Sequence, residues 1–168
     1  QTIPSRFELL CEHKVAGDAG NRAQVGVRCY SSADLIHWRD EGIALAVSDD
    51  PASDIAKGCI LERPKVIHNP HTGKFVMWFH LELKGQGYAS ARGGVAVADR
   101  PQGPFRFLRS GRANPGIWPV NATAADKAPG TTLARDFAGG QMVRDMTLFV
   151  DDDGTAYHIF SAEENQTL

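Results

Sequence analysis

The run Arg144-Asp-Met-Thr-Leu-Phe-Val-Asp-Asp-Asp-Gly154 leads an apolar strand, Met146 to Val150, into a three-aspartate turn that ends on glycine. Set 81 residues earlier, Arg63-Pro-Lys-Val-Ile-His-Asn-Pro-His-Thr-Gly73 follows the same plan. The offset aligns Arg63 with Arg144, Gly73 with Gly154 and Phe79 with Phe160. Glycine takes the positive φ that a tight hairpin requires, so both stretches predict a hairpin. A second echo pairs Val25-Gly-Val27, followed by Trp38, with Val95-Ala-Val97, followed by Phe105. Repeated hairpins with further strands between them predict four-stranded sheets set radially, the β-propeller plan. Two unrelated hairpins in a sandwich are the alternative.

Around these repeats the texture is all-β. Runs rich in Val, Ile, Phe, Tyr and Trp alternate with Gly, Pro, Asn and Asp clusters, as strands and turns do. The pattern predicts strands over Gln24–Ser31, Lys65–His68, Phe75–His80, Gly94–Ala98, Met146–Val150 and Ala156–Ser161. Residues Ala113 to Gly140 hold three prolines and few apolar pairs, and read as one long connection. No helix of ten or more residues is predicted.

Composition narrows the function classes. The chain has 168 residues and 18.2 kDa, enough for one domain with a buried core. Apolar residues make up 42% and charged residues 23%, an ordinary globular balance. A formal charge of -2 supplies no basic field for nucleic acid or an anionic membrane, so neither partner is expected. Cys11, Cys29 and Cys59 form no CxxC pair and no metal-site spacing, and read as small buried hydrophobes. The start at Gln1, with no Met and no signal peptide, predicts a processed or excised start.

The repeat also locates charge. In a propeller the first strand of each blade lines the axis, so residues at its start stand beside the central channel. Glu62 and Asp145 lie on either side of the aligned arginine position and are expected in one cavity, with carboxyl groups within about 10 Å. Two converging carboxylates suit general acid and base work on a sugar. The alternative is a pair of solvated turn carboxylates. Asp145, between Arg144 and the apolar run Met146 to Val150, is expected to be partly buried beside a fixed cation.

Four ordered motifs carry a resemblance: Tyr30-Ser-Ser-Ala-Asp-Leu-Ile-His-Trp38, Glu62-Arg-Pro-Lys-Val66, Asp99-Arg-Pro-Gln-Gly-Pro-Phe105 and Arg144-Asp-Met-Thr-Leu-Phe-Val-Asp-Asp-Asp-Gly-Thr-Ala-Tyr157. Together they resemble glycoside hydrolase family 43, and within it the exo-β-1,3-galactanase branch. The resemblance implies a five-bladed β-propeller and an inverting exo-glycosidase acting on galactose- or arabinose-containing plant polysaccharides. At 168 residues the whole chain, 1–168, is expected to be a partial catalytic domain of about three blades. Asp145 matches the carboxylate that holds and tunes the general acid. Glu62, with Arg63 beside it, matches a glutamate that grips the terminal sugar. Glu12, in Cys11-Glu-His-Lys14, matches a further sugar-binding glutamate, though the Gly and aromatic pair that usually precede it are replaced by Phe7-Glu-Leu-Leu-Cys11. Tyr88, in Gly87-Tyr-Ala-Ser90, matches a subsite tyrosine, with core filling as the alternative. The general base and general acid are expected outside Gln1 to Leu168, with Glu163 and Glu164 read as rim residues able to touch substrate.

Other signals are weaker. The six histidines show no two-plus-one ligand spacing, so no catalytic metal or cofactor is expected; a structural calcium ion is left open. Some propellers hold one ion in the channel, and His80 is a candidate to face it. Asp151-Asp-Asp-Gly154 lacks the closing Glu of a calcium loop and reads as a plain turn. Asn121-Ala-Thr123 and Asn165-Gln-Thr167 are glycosylation sequons. The substrate class implies a secreted or periplasmic protein with an oligosaccharide or polysaccharide partner. A non-catalytic sugar-binding propeller, or a catalytically incomplete fragment, is the competing reading. A partial propeller is further expected to leave an apolar flank, with Val150, Ile159 and Phe160 as candidates.

Overall fold

A computed structural model describes residues 6–17, 20, 24–118, 120–131, 134 and 139–162, with the backbone of 166–167. Its elements are ten strands: β1 (Phe7–Lys14), β2 (Gln24–Ser32), β3 (Arg39–Ala46), β4 (Ile60–Asn69), β5 (Lys74–Glu82), β6 (Arg92–Ala98), β7 (Arg106–Gly111), β8 (Met146–Val150), β9 (Ala156–Ala162) and β10 (Gln166–Thr167). They form three antiparallel sheets, ordered β1-β2-β3, β4-β5-β6-β7 and β10-β9-β8. β4 packs against β1 and β2 on one side and against β8 on the other. The all-β expectation holds, and each expected strand is present, most of them longer than the sequence pattern marked.

The strands that the apolar pattern missed are edge strands. β3 starts Arg-Asp-Glu-Gly and β7 reads Arg-Phe-Leu-Arg-Ser-Gly, both largely exposed where they carry charge. Charged side chains on an outer edge block further pairing, and they also remove the alternation that marks a strand. The second echo survives in three dimensions. β2 leads through a turn into the edge strand β3, and β6 leads through a turn into the edge strand β7. By that match β1 stands where β5 does, and the first sheet has no described counterpart of β4.

The 81-residue offset is kept at the arginines and at the turn glycines, where Gly73 has φ 66° and Gly154 φ 84°. It is not kept across the whole hairpin. β4 and β5 pair Asn69 with Lys74, whereas β8 and β9 pair Val150 with Ala156, so the second turn is one residue longer. Phe160 therefore lies opposite Met146, while Phe79 lies at the break in the β4–β5 ladder. That break is a β-bulge at Arg63 and Pro64, with Arg63 in the left-handed region at φ 53°. A non-glycine residue there carries backbone strain, of the kind found where a side chain must be re-aimed.

Two apolar clusters join the sheets. Val27, Cys29 and Leu45 of the first sheet pack with Leu61, Met77 and Phe79 of the second. Phe79 is fully buried, which contributes about 2–3 kcal/mol of apolar transfer. Its ring occupies the place where Gly94, directly opposite on β6, would carry a Cβ. Val143, Met146 and Phe160 form the second cluster, with Trp78 and Ala113 against it. Phe160 is thus a core residue rather than part of an open flank; Val150 and Ile159 are exposed, as are Phe149 and Tyr157. The long connection is closed at its base, where Ala113 and Gln141 exchange backbone hydrogen bonds of 3.1 and 2.7 Å. All three cysteines are free, with Cys29 and Cys59 buried. Burial pushes both of those thiols up to about 11.

Candidate active site

The site is built on the inner end of β4, where the bulge turns Arg63 outward and leaves Glu62 facing in. Glu62 is 8% exposed. Burying a charged carboxylate demands partners, and three surround it. Tyr88 Oη donates to Oε1 at 2.7 Å. Arg63 Nη1 donates to Oε2 at 3.1 Å. His80 Nδ1 lies 3.3 Å from Oε2. That His80 contact is close in distance but off the hydrogen-bond line, leaving Nδ1 a buried nitrogen without a hydrogen-bond partner.

Arg63 also reaches the third sheet. Its Nε pairs with Oδ1 of Asp145, immediately before β8. One guanidinium therefore spans both carboxylates and brings Glu62 and Asp145 together, although the depression that Asp145 lines does not include Glu62. Arginine suits this bridge because its donors form a planar fork. The expectation for Asp145 itself needs correction in two respects. Its side chain is 68% exposed rather than partly buried, and its cation is Arg63 rather than Arg144. Arg144 points the other way, with Nη2 donating to the Tyr88 carbonyl at 2.7 Å. Asp145 borders a shallow depression of about 310 Å³ with Thr147, Ile159 and Ser161.

Tyr88 is a surface residue on the loop between β5 and β6, not core filling. The loop is clamped from both sides. Arg112 donates to the carbonyls of Ala89 and Ser90 at 2.7 and 3.0 Å, beside the Arg144 bond to Tyr88. On the amide side, Glu82 Oε2 accepts from the N–H groups of Ser90 and Ala91 at 2.8 and 2.9 Å. The Arg144 guanidinium lies 5.8 Å over the Tyr88 ring, and His80 lies 6.0 Å from it. Such bracing sets the phenol before any ligand arrives, which is how a binding group is made rigid.

Glu12 is apart from this cluster: it is exposed on β1 and pairs with Lys14 at 3.0 Å. Glu163 and Glu164 lie outside the described residues, as does Asn165 of the second sequon. The turn at Asp151 is a hairpin turn, with Asp151 N–H bonded to the Thr155 carbonyl at 2.9 Å and Gly154 N–H to the Asp151 carbonyl at 2.8 Å. Among the described residues no group of three or more His, Cys, Asp or Glu side chains is arranged to hold a metal ion. Sequence reasoning missed Glu82, fully buried beside His80 with Nε2 at 2.8 Å from its Oε1. The signal was present in His80-Leu-Glu82, two polar residues at the two-residue period that puts them on one face of a strand.

No protein-family model matches the chain, and no curated protein does. Solved structures do match. A GH43 β-1,3-galactosidase determined with galactodeoxynojirimycin aligns over 95% of this chain and 52% of its own, at 52% identity and a TM-score of 0.82. An exo-β-1,3-galactanase from Clostridium thermocellum aligns over 95% of this chain and 30% of its own, at 33% identity and a TM-score of 0.71. The exo-β-1,3-galactanase of Phanerochaete chrysosporium, determined with galactose, aligns over 99% and 32%, at 29% identity and a TM-score of 0.67. The chain thus spans about half the length of the first and about a third of the other two. Nearly all of this sequence aligns in each case, and the chain belongs to glycoside hydrolase family 43.

Proposed function

We propose that the protein carrying this chain is an inverting exo-glycosidase that removes terminal galactose from β-1,3-galactan or arabinogalactan-type plant polysaccharides. The observation that carries this reading is the joining of Glu62, Tyr88 and Asp145 at one place by Arg63, in a chain whose relatives include β-1,3-galactosidases and galactanases. A carboxylate has about four lone-pair sites, and Glu62 uses two on Tyr88 and Arg63. The remainder are free to accept hydrogen bonds from sugar hydroxyls. The Tyr88 ring adds an amphipathic surface of the type that packs on a sugar face.

In this reading Asp145 does not attack the sugar. It stands at the edge of the site, oriented by Arg63, and holds the general acid in place while a base on the opposite side activates water. Acid and base belong to parts of the protein beyond these residues, consistent with the share of each relative that the chain spans. The same consideration supports five blades, of which this chain supplies about three, and a first sheet completed by an inner strand ahead of β1. A polysaccharide substrate places the protein outside the cytoplasm, secreted or periplasmic. The hydrolysis itself calls for no cofactor.

The test is hydrolysis of β-1,3-galactobiose and β-1,3-galactan by the full-length protein, with the first-formed anomer read by proton NMR. Release of α-galactose ahead of the β anomer supports the proposal. Retention of configuration, or release of arabinose in preference to galactose, overturns the corresponding part of it. Tight galactoside binding without turnover, unchanged in a variant lacking Asp145, favours a binding module instead.

A further inference from the structure

Glu82 is a carboxylate with no exposed surface, so it cannot touch a substrate directly. What it touches leads to the sugar-facing pair along two routes. One oxygen, Oε2, accepts the Ser90 and Ala91 amides that end the Tyr88 loop. The other, Oε1, faces His80 Nε2 at 2.8 Å, with Arg144 Nη1 at 4.0 Å. His80 lies directly across the β4–β5 pair from Glu62.

A singly protonated imidazole has one N–H, and its partner decides which nitrogen carries it. A carboxylate is an acceptor only, so Glu82 calls for the proton on Nε2. Nδ1 is then the unprotonated nitrogen; it lies 3.3 Å from Glu62 Oε2, off the hydrogen-bond line and without a hydrogen-bond partner. A nitrogen that does not donate leaves Glu62 with its accepting capacity intact for sugar hydroxyls.

We propose that Glu82 is a positioning residue of the sugar site: one oxygen fixes the Tyr88 loop, and the other holds the His80 proton on Nε2, so that His80 does not compete with substrate for Glu62. The consequence for substrate rests on the glycosidase reading above; the place of the proton does not. Glu82→Gln separates the two routes. The amide oxygen must stay on the Ser90 and Ala91 N–H groups, because an NH2 there would oppose two donors. The amide nitrogen then faces Nε2 and donates to it, which moves the ring proton to Nδ1 and brings a donor beside Glu62.

Nitrogen-15 NMR of the His80 ring, together with steady-state kinetics of the full-length protein on β-1,3-galactobiose, tests this. Wild type is expected to show a protonated Nε2 and a bare Nδ1, and Glu82→Gln the reverse. KM is expected to rise about tenfold in the variant, the scale of one charged hydrogen bond, with kcat changed less than about threefold. A wild-type ring already protonated on Nδ1 overturns the proposal even where Glu82→Gln fails to fold. A proton that does not move, or one that moves with KM unchanged, overturns it as well. Wild-type protein that neither binds nor cleaves galactosides refutes the function proposed above, while the ring nitrogens still decide the role of Glu82.

Discussion

Glu62 of β4 and Asp145, immediately before β8, are bound by a single guanidinium, that of Arg63, although β4 and β8 belong to different sheets. The geometry depends on the backbone. A regular β4 would send residue 63 to one face of the sheet, on the side opposite its neighbours. The bulge and the left-handed φ of Arg63 instead turn its side chain along the sheet edge toward β8. Local strain at this residue is thus coupled to the one contact that joins the two carboxylates.

Arg63→Lys should therefore lower kcat/KM about tenfold, equivalent to roughly 1.4 kcal/mol, with little loss of stability. A lysine ammonium is a point charge and cannot hold two carboxylates in a fork. The ion pairs are partly exposed, so their contribution to folding is small, about 0–1 kcal/mol. Kinetics on β-1,3-galactobiose and a thermal melt together check this. A melting temperature that collapses while the remaining folded protein works normally would show that the bridge is structural.

Asp145→Asn should reduce turnover by about 100-fold, or roughly 2.7 kcal/mol of barrier, with the fold intact. Asn keeps the shape of the side chain and can still accept from Arg63, but it removes the charge that is proposed to hold the general acid. The exposure of Asp145 strengthens the expectation of a normal melt, because no buried partner is lost. Turnover on an activated and on a natural galactoside would be compared. Near-normal rates on both would take Asp145 out of the mechanism.

The contrast between Asp145 and Glu82 shows what the sequence could reveal. Asp145 is in a motif beside a strand and a turn, so position alone brought it next to Glu62. Its partner could not be read in the same way, because Arg63 reaches it only through a bulge that shifts the β4 register. Glu82 is in an ordinary apolar strand, and its importance comes from the β5–β6 loop folding back onto it. Pairings of that kind are tertiary, and no local period encodes them. The strands followed the same division: β8 and β9 are largely apolar runs on either side of a glycine-ended turn and were legible, whereas β3 and β7 carry charges that erase the pattern.

Gly94→Ala should destabilise the fold by about 1–3 kcal/mol, the usual cost of forcing extra volume into a packed core. The added methyl would overlap the ring of Phe79, which is itself fully buried and has no open side to move into. The same reasoning predicts partial rescue by Phe79→Leu, which removes the edge of the ring that the methyl meets. Chemical denaturation of both single variants and the double variant forms a cycle, and the double variant should be more stable than the sum of the singles. Strict additivity would mean that the two positions do not press on each other.

The last prediction concerns His158 and acid. Its ring stacks 4.5 Å from Trp78 and 5.1 Å from Phe160, and Nε2 is buried without a hydrogen-bond partner. Burial pushes this imidazole below its ordinary range, because the charged form loses water and gains no acceptor. Arg109 and Arg112 line the same cavity of about 560 Å³, so no compensating negative charge comes from them. In the unfolded chain the group titrates near about 6.5. The unfolded state therefore takes up the proton first as pH falls, and stability rises with pH through that window. His158 contributes stability that is complete above about pH 6.5 and is lost progressively below it. Moving from about pH 7.5 to about pH 5 should lower the melting temperature of wild type more than that of His158→Phe, which keeps the stack but carries no titrating nitrogen. All other acid-sensitive groups are common to the two proteins, so the difference between their curves isolates this one ring. Parallel curves would mean that His158 takes up its proton as readily in the fold as out of it, and that the contact between the second and third sheets is open to water at this point.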